Sequence, residues 1–193
     1  TDFLSIGLGR DVRLIDQPGS VPVTVFASAG VSAMGFSLDF DPGYLTNLAI
    51  AATSTRLCSA TLVPFSPTYY GITLETCPGQ TFVGTEDIAR LSYLTLSNRS
   101  RIVALNVGSV EALKPDGTPV PKVAGRDGRV TVVGTEPLLE AWRQTNGLPW
   151  ITLYGNPGRI YRIVISPDVD RPRPWIPLRD ILIGPAFFED FPA

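Results

Sequence analysis

The stretch 31–45 constrains the fold more than any other part of the chain. Large apolar side chains occupy alternate positions in it, at Met34, Phe36, Leu38 and Phe40, and small or polar residues lie between them. A period of two is typical of a β-strand that packs one face on a core. The Asp-Pro-Gly sequence that follows Phe40 ends this strand in a turn. The chain is therefore predicted to fold around a central strand.

Turn residues recur along the whole chain. The 193 residues include 18 glycines and 18 prolines, which are scattered rather than periodic. Alternating segments separated by turns about every 8–12 residues are typical of an antiparallel sandwich or jelly roll. Besides the central strand, the sequence predicts strands at 3–8, 12–15, 21–27, 46–52, 59–63, 70–76, 88–96, 102–110 and 129–133, with a turn at 17–20. The predicted fold class is all-β.

The sequence Gly-Thr-Glu-Pro at 134–137 marks a boundary between two units. We expect a β-sandwich at 1–134 and a small β module at 135–193, cut short at its C-terminus. Residues 138–143 and 148–154 favour a hairpin across Asn146-Gly147, although a short helix at 137–144 is the alternative. Further strands are expected at 159–165, 175–183 and 187–192. Because the chain starts without methionine or a leader, we expect it to be a piece of a longer protein.

Two cysteines and the absence of histidine limit the possible chemistry. Cys58 and Cys77 are predicted to form a disulfide across a pair of strands, and two separate buried thiols are the alternative. With no histidine in the sequence, a Ser-His-Asp triad and a histidine zinc site are both excluded. The sequence predicts a non-catalytic protein.

The charge distribution argues against two classes of partner. The net charge is −2, from 16 basic and 18 acidic residues, and no basic run is long enough to bind nucleic acid. No apolar run approaches the length of about 18 residues that a membrane span requires. We therefore expect neither a nucleic-acid partner nor a membrane-spanning segment.

Several carboxylates are weak candidates for a site. Asp39, Asp41 and Asp116 would suit acid–base chemistry on a glycoside or, if separate loops converge, a calcium ion. The favoured interpretation is that Asp41 opens a turn and that Asp39 is the solvent-facing residue of an alternating strand. Glu86 and Asp87 are expected to lie in a loop. No cofactor is predicted, and calcium remains the alternative.

Aromatic residues near the cysteines are the strongest binding candidates. Phe65, Tyr69, Tyr70 and Phe82 are predicted either to form an exposed contact surface or to fill the core beneath a long loop. An exposed surface would serve a protein interface or would stack sugar rings. A polysaccharide would require coplanar rings in a row, whereas a protein partner would require an apolar patch on one sheet face.

The first unit resembles the cohesin domains of cellulosomal scaffoldins and related secreted bacterial modules. The segments that carry this resemblance are Val21–Val25, Gly35–Pro42 with Leu45, Asn106–Val110, Asp116–Pro121 and Gly128–Val132. The resemblance implies a nine-stranded jelly roll that docks calcium-loaded dockerin modules on one sheet face. The segment 56–84 is longer and more aromatic than the corresponding part of the cellulosomal pattern, and it contains two cysteines. It falls in the region that helps to form the dockerin-binding face of cohesins.

The second unit resembles small β modules near the C-termini of secreted proteins of Planctomycetes and Verrucomicrobia-type bacteria. The match lies at Gly155–Ile163 and Trp175–Leu178. Together, the two resemblances imply a secreted or cell-surface, multi-modular bacterial protein. The leading functional hypothesis is protein binding, followed by carbohydrate binding through the aromatics of 64–82 and, third, by a glycoside-active enzyme.

Overall fold

The computed structural model describes residues 2–96, 99–166 and 175–192. The regular secondary structure in these ranges consists of β-strands only. The strands are β1 (Phe3–Leu8), β2 (Arg10–Leu14), β3 (Pro18–Val31), β4 (Ala33–Asp39), β5 (Leu45–Ala52), β6 (Leu57–Pro64), β7 (Tyr69–Thr76), β8 (Phe82–Thr95), β9 (Arg101–Leu113), β10 (Lys122–Arg126), β11 (Gly128–Val133), β12 (Leu138–Arg143), β13 (Pro149–Tyr154), β14 (Ile160–Ile165), β15 (Ile176–Leu182) and β16 (Phe188–Pro192). The all-β fold class is confirmed. The described residues contain no helix that could span a membrane.

The chain divides into two compact units. The first comprises Thr1–Ser97 and Ile102–Val132, and the second comprises Asn98–Arg101 and Val133–Ala193. The division after 132 lies close to the boundary expected at 134. The sequence gives no sign that the short segment 98–101 belongs with the second unit.

The first unit is a sandwich of two sheets. One sheet has the order β10-β1-β3-β8-β5 and the other has the order β2-β11-β9-β4-β7-β6. Alternate side chains of the two sheets form one buried core, including Met34, Phe36 and Leu38 of β4 and Val21, Val23 and Val25 of β3. The period-two pattern thus predicted the core face of β4 correctly. The described part of this unit has eleven strands, compared with the nine that the resemblance implies.

The turn expected at 17–20 is wrong, because β3 already starts at Pro18. Gly19 pairs opposite Tyr93 of β8, and an added Cβ at Gly19 would lie 2.6 Å from the tyrosine ring. Proline is compatible with the first residue of a strand, and glycine marks a close approach of another group. Pro18 and Gly19, which suggested a turn, therefore form the start of a long strand.

Strand β10 was not predicted. Its five residues pair in parallel with β1 at the edge of the sheet, and all of them are exposed or half-buried. An edge strand with no buried side chain has no hydrophobic alternation to reveal it. The sequence therefore shows only the turn before it and the buried strand β11 after it.

Gly128 is expected to be intolerant of any side chain, because an added Cβ would lie 2.5 Å from the Gly9 carbonyl oxygen and 2.6 Å from Leu8 Cβ. Neither backbone nor Cβ can move aside cheaply, so Gly128→Ala should lower the free energy of unfolding by about 1–3 kcal/mol. The matched control is Gly30→Ala, whose Cβ would lie at an ordinary 3.5 Å from Thr81. Urea unfolding of both variants tests the prediction, and equal losses of stability would contradict it.

The second unit is built from the sheet β12-β13-β16 and the pair β14-β15. The favoured hairpin is confirmed, since β12 and β13 pair from Leu138–Tyr154 to Arg143–Pro149. Gly147 has a φ of 83°, which glycine adopts without strain. The core of this unit contains the buried residues Leu153, Ile181, Ile183 and Phe191.

Candidate functional site

Four neighbouring strands of the six-stranded sheet, β9, β4, β7 and β6, share an outer face that points away from the core. Directly paired residues lie on the same side of a sheet, so the register defines the rows of this outer face. One row contains Val63, Gly71, Ser37 and Gly108, and the next contains Thr61, Thr73, Gly35 and Glu111. Next to the first of these rows lies the row of Tyr69, Asp39 and Asn106. Next to the second lies the row of Ser59, Glu75, Ala33 and Leu113.

Small residues occupy the middle of this outer face. The ring of Phe65 lies over Gly71, where an added Cβ would be 2.7 Å from Phe65 Cε2. Ser37 Oγ lies 3.0 Å from the position that a Cβ would take at Gly108. Larger residues at either glycine would displace these neighbours. The small residues thus let the side chains of neighbouring positions lie down on the sheet, and such a surface is suited to contact with another large surface.

Apolar side chains are exposed at one end of the outer face. Phe65 is 68% exposed, and its ring lies 5.8 Å from the ring of Tyr69 at an angle of 36°. Val63, on the neighbouring edge strand, is 49% exposed. Together these three residues form an apolar rim. Large exposed apolar groups that lie together in this way mark interaction sites.

A shallow groove of about 200 Å³ crosses the opposite end of the outer face. Its floor includes Gly35, and the side chain of Glu111 lies directly over this glycine, with Oε1 3.0 Å from the position of a Cβ. Glu75 and the exposed Leu113 also line the groove. The groove therefore combines apolar walls with two carboxylates, which suits a partner with basic and apolar side chains.

Only two of the four aromatic candidates lie on this outer face. Phe65 and Tyr69 are exposed there, whereas Tyr70 is half-buried and stacks on Phe40 at 5.5 Å. Phe82 is 2% exposed and belongs to the core, so its assignment as a surface binding residue is wrong. Tyr70 and Phe82 face inward because each aligns with the inner side of its strand. The coplanar row of rings expected for polysaccharide binding is therefore not formed by these four residues.

The carboxylate candidates do not converge on a site. Asp41 Oδ1 accepts a hydrogen bond from the Gly43 N–H at 3.0 Å and so stabilises its own turn. Asp116 accepts hydrogen bonds from the backbone N–H and the hydroxyl of Thr118, which hold the pKa of its carboxyl below the usual value. Among the described residues, no three metal-ligating side chains lie close enough together to hold an ion.

The loop expected at Glu86 and Asp87 is wrong, because both residues lie within β8. Asp87 accepts a hydrogen bond from the Thr24 hydroxyl of β3. Glu86 accepts one from Ser54 and lies 3.6 Å from the Arg56 guanidinium. These carboxylates therefore stabilise the sheet through local partners.

Cys58 and Cys77 form the predicted disulfide, and their Cα atoms are 4.8 Å apart. Cys58 lies in a β-bulge of β6, where the register passes from Leu57–Thr76 to Ser59–Glu75. The disulfide thus ties the edge strand of the sheet to the end of β7. It stabilises the border of the outer face.

Sequence reasoning missed Thr61, Val63 and Thr73 as members of the outer face. The usable signal was the alternation of small residues along β4 and β7, since an interior glycine such as Gly71 marks a close approach. What the sequence does not reveal is the register, which determines which small residues become neighbours.

The comparisons with known proteins show similarity at the level of the fold. No protein-family model matches the chain, and no curated protein sequence matches it. Among solved structures, it is similar to CaCohA2 from Clostridium acetobutylicum, with a TM-score of 0.58 and 19% identity over 67% of this chain and 90% of that one. It is similar to the sixth cohesin of Acetivibrio cellulolyticus scaffoldin B, solved in complex with a Cel5 dockerin (TM-score 0.58, 14% identity, 67% of this chain, 98% of that chain). A non-cellulosomal cohesin from the archaeon Archaeoglobus fulgidus is also similar (TM-score 0.54, 16% identity, 69% and 93%).

These structures define the class of fold. The matched share of about two thirds of the chain agrees with the size of the first unit. The first unit has a cohesin-like fold, as the resemblance in its sequence implies.

Proposed function

We propose that the first unit is a non-catalytic protein-binding module and that its binding site is the outer face of β9, β4, β7 and β6. The observation that carries this proposal is the exposed apolar rim (Val63, Phe65 and Tyr69) on the same sheet face as the groove beside Leu113, with small residues between them. An exposed apolar group of this kind marks an interaction site, because its contact area is removed from water on binding.

The proposed partner is a dockerin-like module. Support comes from the fold, because the similar scaffoldin B cohesin was solved in complex with a dockerin. We infer that the calcium of such a complex is held by the partner, since dockerins of the resembled family are calcium-loaded. The carboxylates Asp39, Glu75 and Glu111 of the outer face favour a partner that presents basic side chains.

We further propose that the parent protein is secreted or displayed on a bacterial cell surface. A disulfide persists in oxidising compartments and is rare in the reducing cytosol. A multi-modular arrangement is supported by the second compact unit in the same chain.

A pull-down from the secreted and envelope proteins of the source organism tests this function. The purified chain is immobilised with and without a calcium chelator, and retained proteins are identified by mass spectrometry. We expect one stoichiometric partner with a dockerin-like sequence, lost on chelation. Retention of no protein in the presence of calcium would contradict the proposal.

A further inference from the structure

The sheet of the second unit has a polar and aromatic side in addition to its core side. Leu153 of β13 and Phe191 of β16 face the core, so residues at the alternate positions face the other way. This second side carries the row Leu138, Tyr154 and Phe188 and, next to it, two further rows: Glu140 with Thr152 and Asp190, and Trp142 with Trp150 and Pro192. We call these two rows the tryptophan face.

A chain of hydrogen bonds fixes the orientation of two residues on the tryptophan face. The Trp142 Nε1–H donates to Thr152 Oγ1 at 3.0 Å, and the Thr152 hydroxyl donates to Asp190 Oδ1 at 2.5 Å. Thr152 is only 5% exposed, so both bonds are shielded from competing water. The indole plane and the carboxylate are therefore held in place before any ligand arrives, which lowers the entropic cost of binding.

The two groups that Thr152 fixes remain accessible to solvent. Trp142 is 40% exposed, although it leans on Trp150 with ring centroids 6.3 Å apart at an angle of 55°. Asp190 is exposed beside it. A carboxylate has room for about four hydrogen bonds, so the one from Thr152 leaves capacity for external donors.

The chemistry of the tryptophan face selects the ligand. An indole has a negative face, which attracts the polarised C–H groups on the flat side of a pyranose ring. Asp190 and Glu140 are both hydrogen-bond acceptors, and Glu140 accepts the Tyr154 hydroxyl at 2.8 Å. The ligand must therefore supply donors, as vicinal sugar hydroxyls do, and the two carboxylates disfavour an acidic sugar.

We propose that the tryptophan face binds an uncharged pyranose unit of a polysaccharide, which stacks on Trp142 and donates hydroxyl hydrogen bonds to Asp190. This site lies within the second unit and does not depend on the protein-binding function of the first. It would hold the chain on a glycan surface while the outer face of the first unit engages a protein.

Native affinity electrophoresis of the full chain in gels with hydroxyethylcellulose, xylan, galactomannan or laminarin tests the proposal. We expect at least one polymer to retard the protein. Trp142→Ala should abolish the retardation, and Asp190→Ala should weaken binding by about tenfold or more, because it removes a charge-assisted hydrogen bond. Trp142→Phe keeps a ring but loses the bond to Thr152, so its binding should be intermediate.

The matched control is Trp175→Ala, which removes an exposed tryptophan of the same unit that lies outside the tryptophan face. It should be retarded like the unmodified chain. Asp190→Asn preserves side-chain volume, so its weakened binding would exclude loss of folding as the cause. Absence of retardation in all four polymers would overturn the proposal, as would full retardation of a folded Trp142→Ala or Asp190→Asn variant. Binding to a basic peptide in place of every polymer would overturn it in favour of a protein ligand.

Discussion

Replacement of Thr73 by arginine is expected to weaken partner binding by about a hundredfold or more. Thr73 is an exposed residue of β7 in the middle of the outer face, between Thr61 and Gly35. A long cation there would hold the partner away from the outer face, and by pairing with Glu75 or Glu111 of the same groove it would also take a carboxylate from a basic partner. Disruption of the centre of an interface costs about 2–4 kcal/mol or more, and each 1.4 kcal/mol is a factor of ten in affinity.

The control for this variant is Thr85→Arg. Thr85 is likewise an exposed threonine within a long strand, but it pairs with the exposed Phe26 on the outer side of the other sheet. Isothermal titration calorimetry with the captured partner should give an unchanged affinity for Thr85→Arg. Equal losses in the two variants would mean that the binding site is not on the proposed face.

Removal of the disulfide is expected to lower the free energy of unfolding of the first unit by about 3 kcal/mol. Cys58 and Cys77 are 19 residues apart, so the bond closes a short loop in the unfolded chain and restricts its conformations. The bond also ties the edge strand β6 to β7. Denaturant unfolding of the Cys58→Ser, Cys77→Ser double variant, monitored for the first unit, measures the loss.

A reducing agent provides the internal control for this measurement. It should lower the stability of the unmodified chain to that of the double variant and should leave the double variant unchanged. If the double variant were as stable as the oxidised protein, the disulfide would have no part in holding the edge strand.

Most of the sandwich was predictable, because buried strands reveal themselves by alternation. Met34, Phe36 and Leu38 each lie in the core as the period of two requires. The pattern fails where strands are not half-buried, as in the exposed strand β10. It also fails where turn residues have a packing role, as Gly19 does beneath the ring of Tyr93.

The candidate sites were less predictable, because both depend on strand register. Phe65 and Phe82 look alike in the sequence, yet one is exposed and the other is buried. Likewise, Thr152 is 10 residues from Trp142 and 38 residues from Asp190 in the sequence. The three side chains meet only when three strands align. Local patterns predict which strands form, whereas the meeting of distant residues follows from tertiary packing.

Hydrogen–deuterium exchange of the chain with and without its captured partner tests the central claim most directly. If the outer face binds the partner, complex formation should slow exchange in β6, in the 65–68 turn and in β7, because the partner covers these segments. Exchange in β5 and β10, at the edges of the other sheet, should stay the same. Slowed exchange confined to the five-stranded sheet or to the second unit would contradict the account.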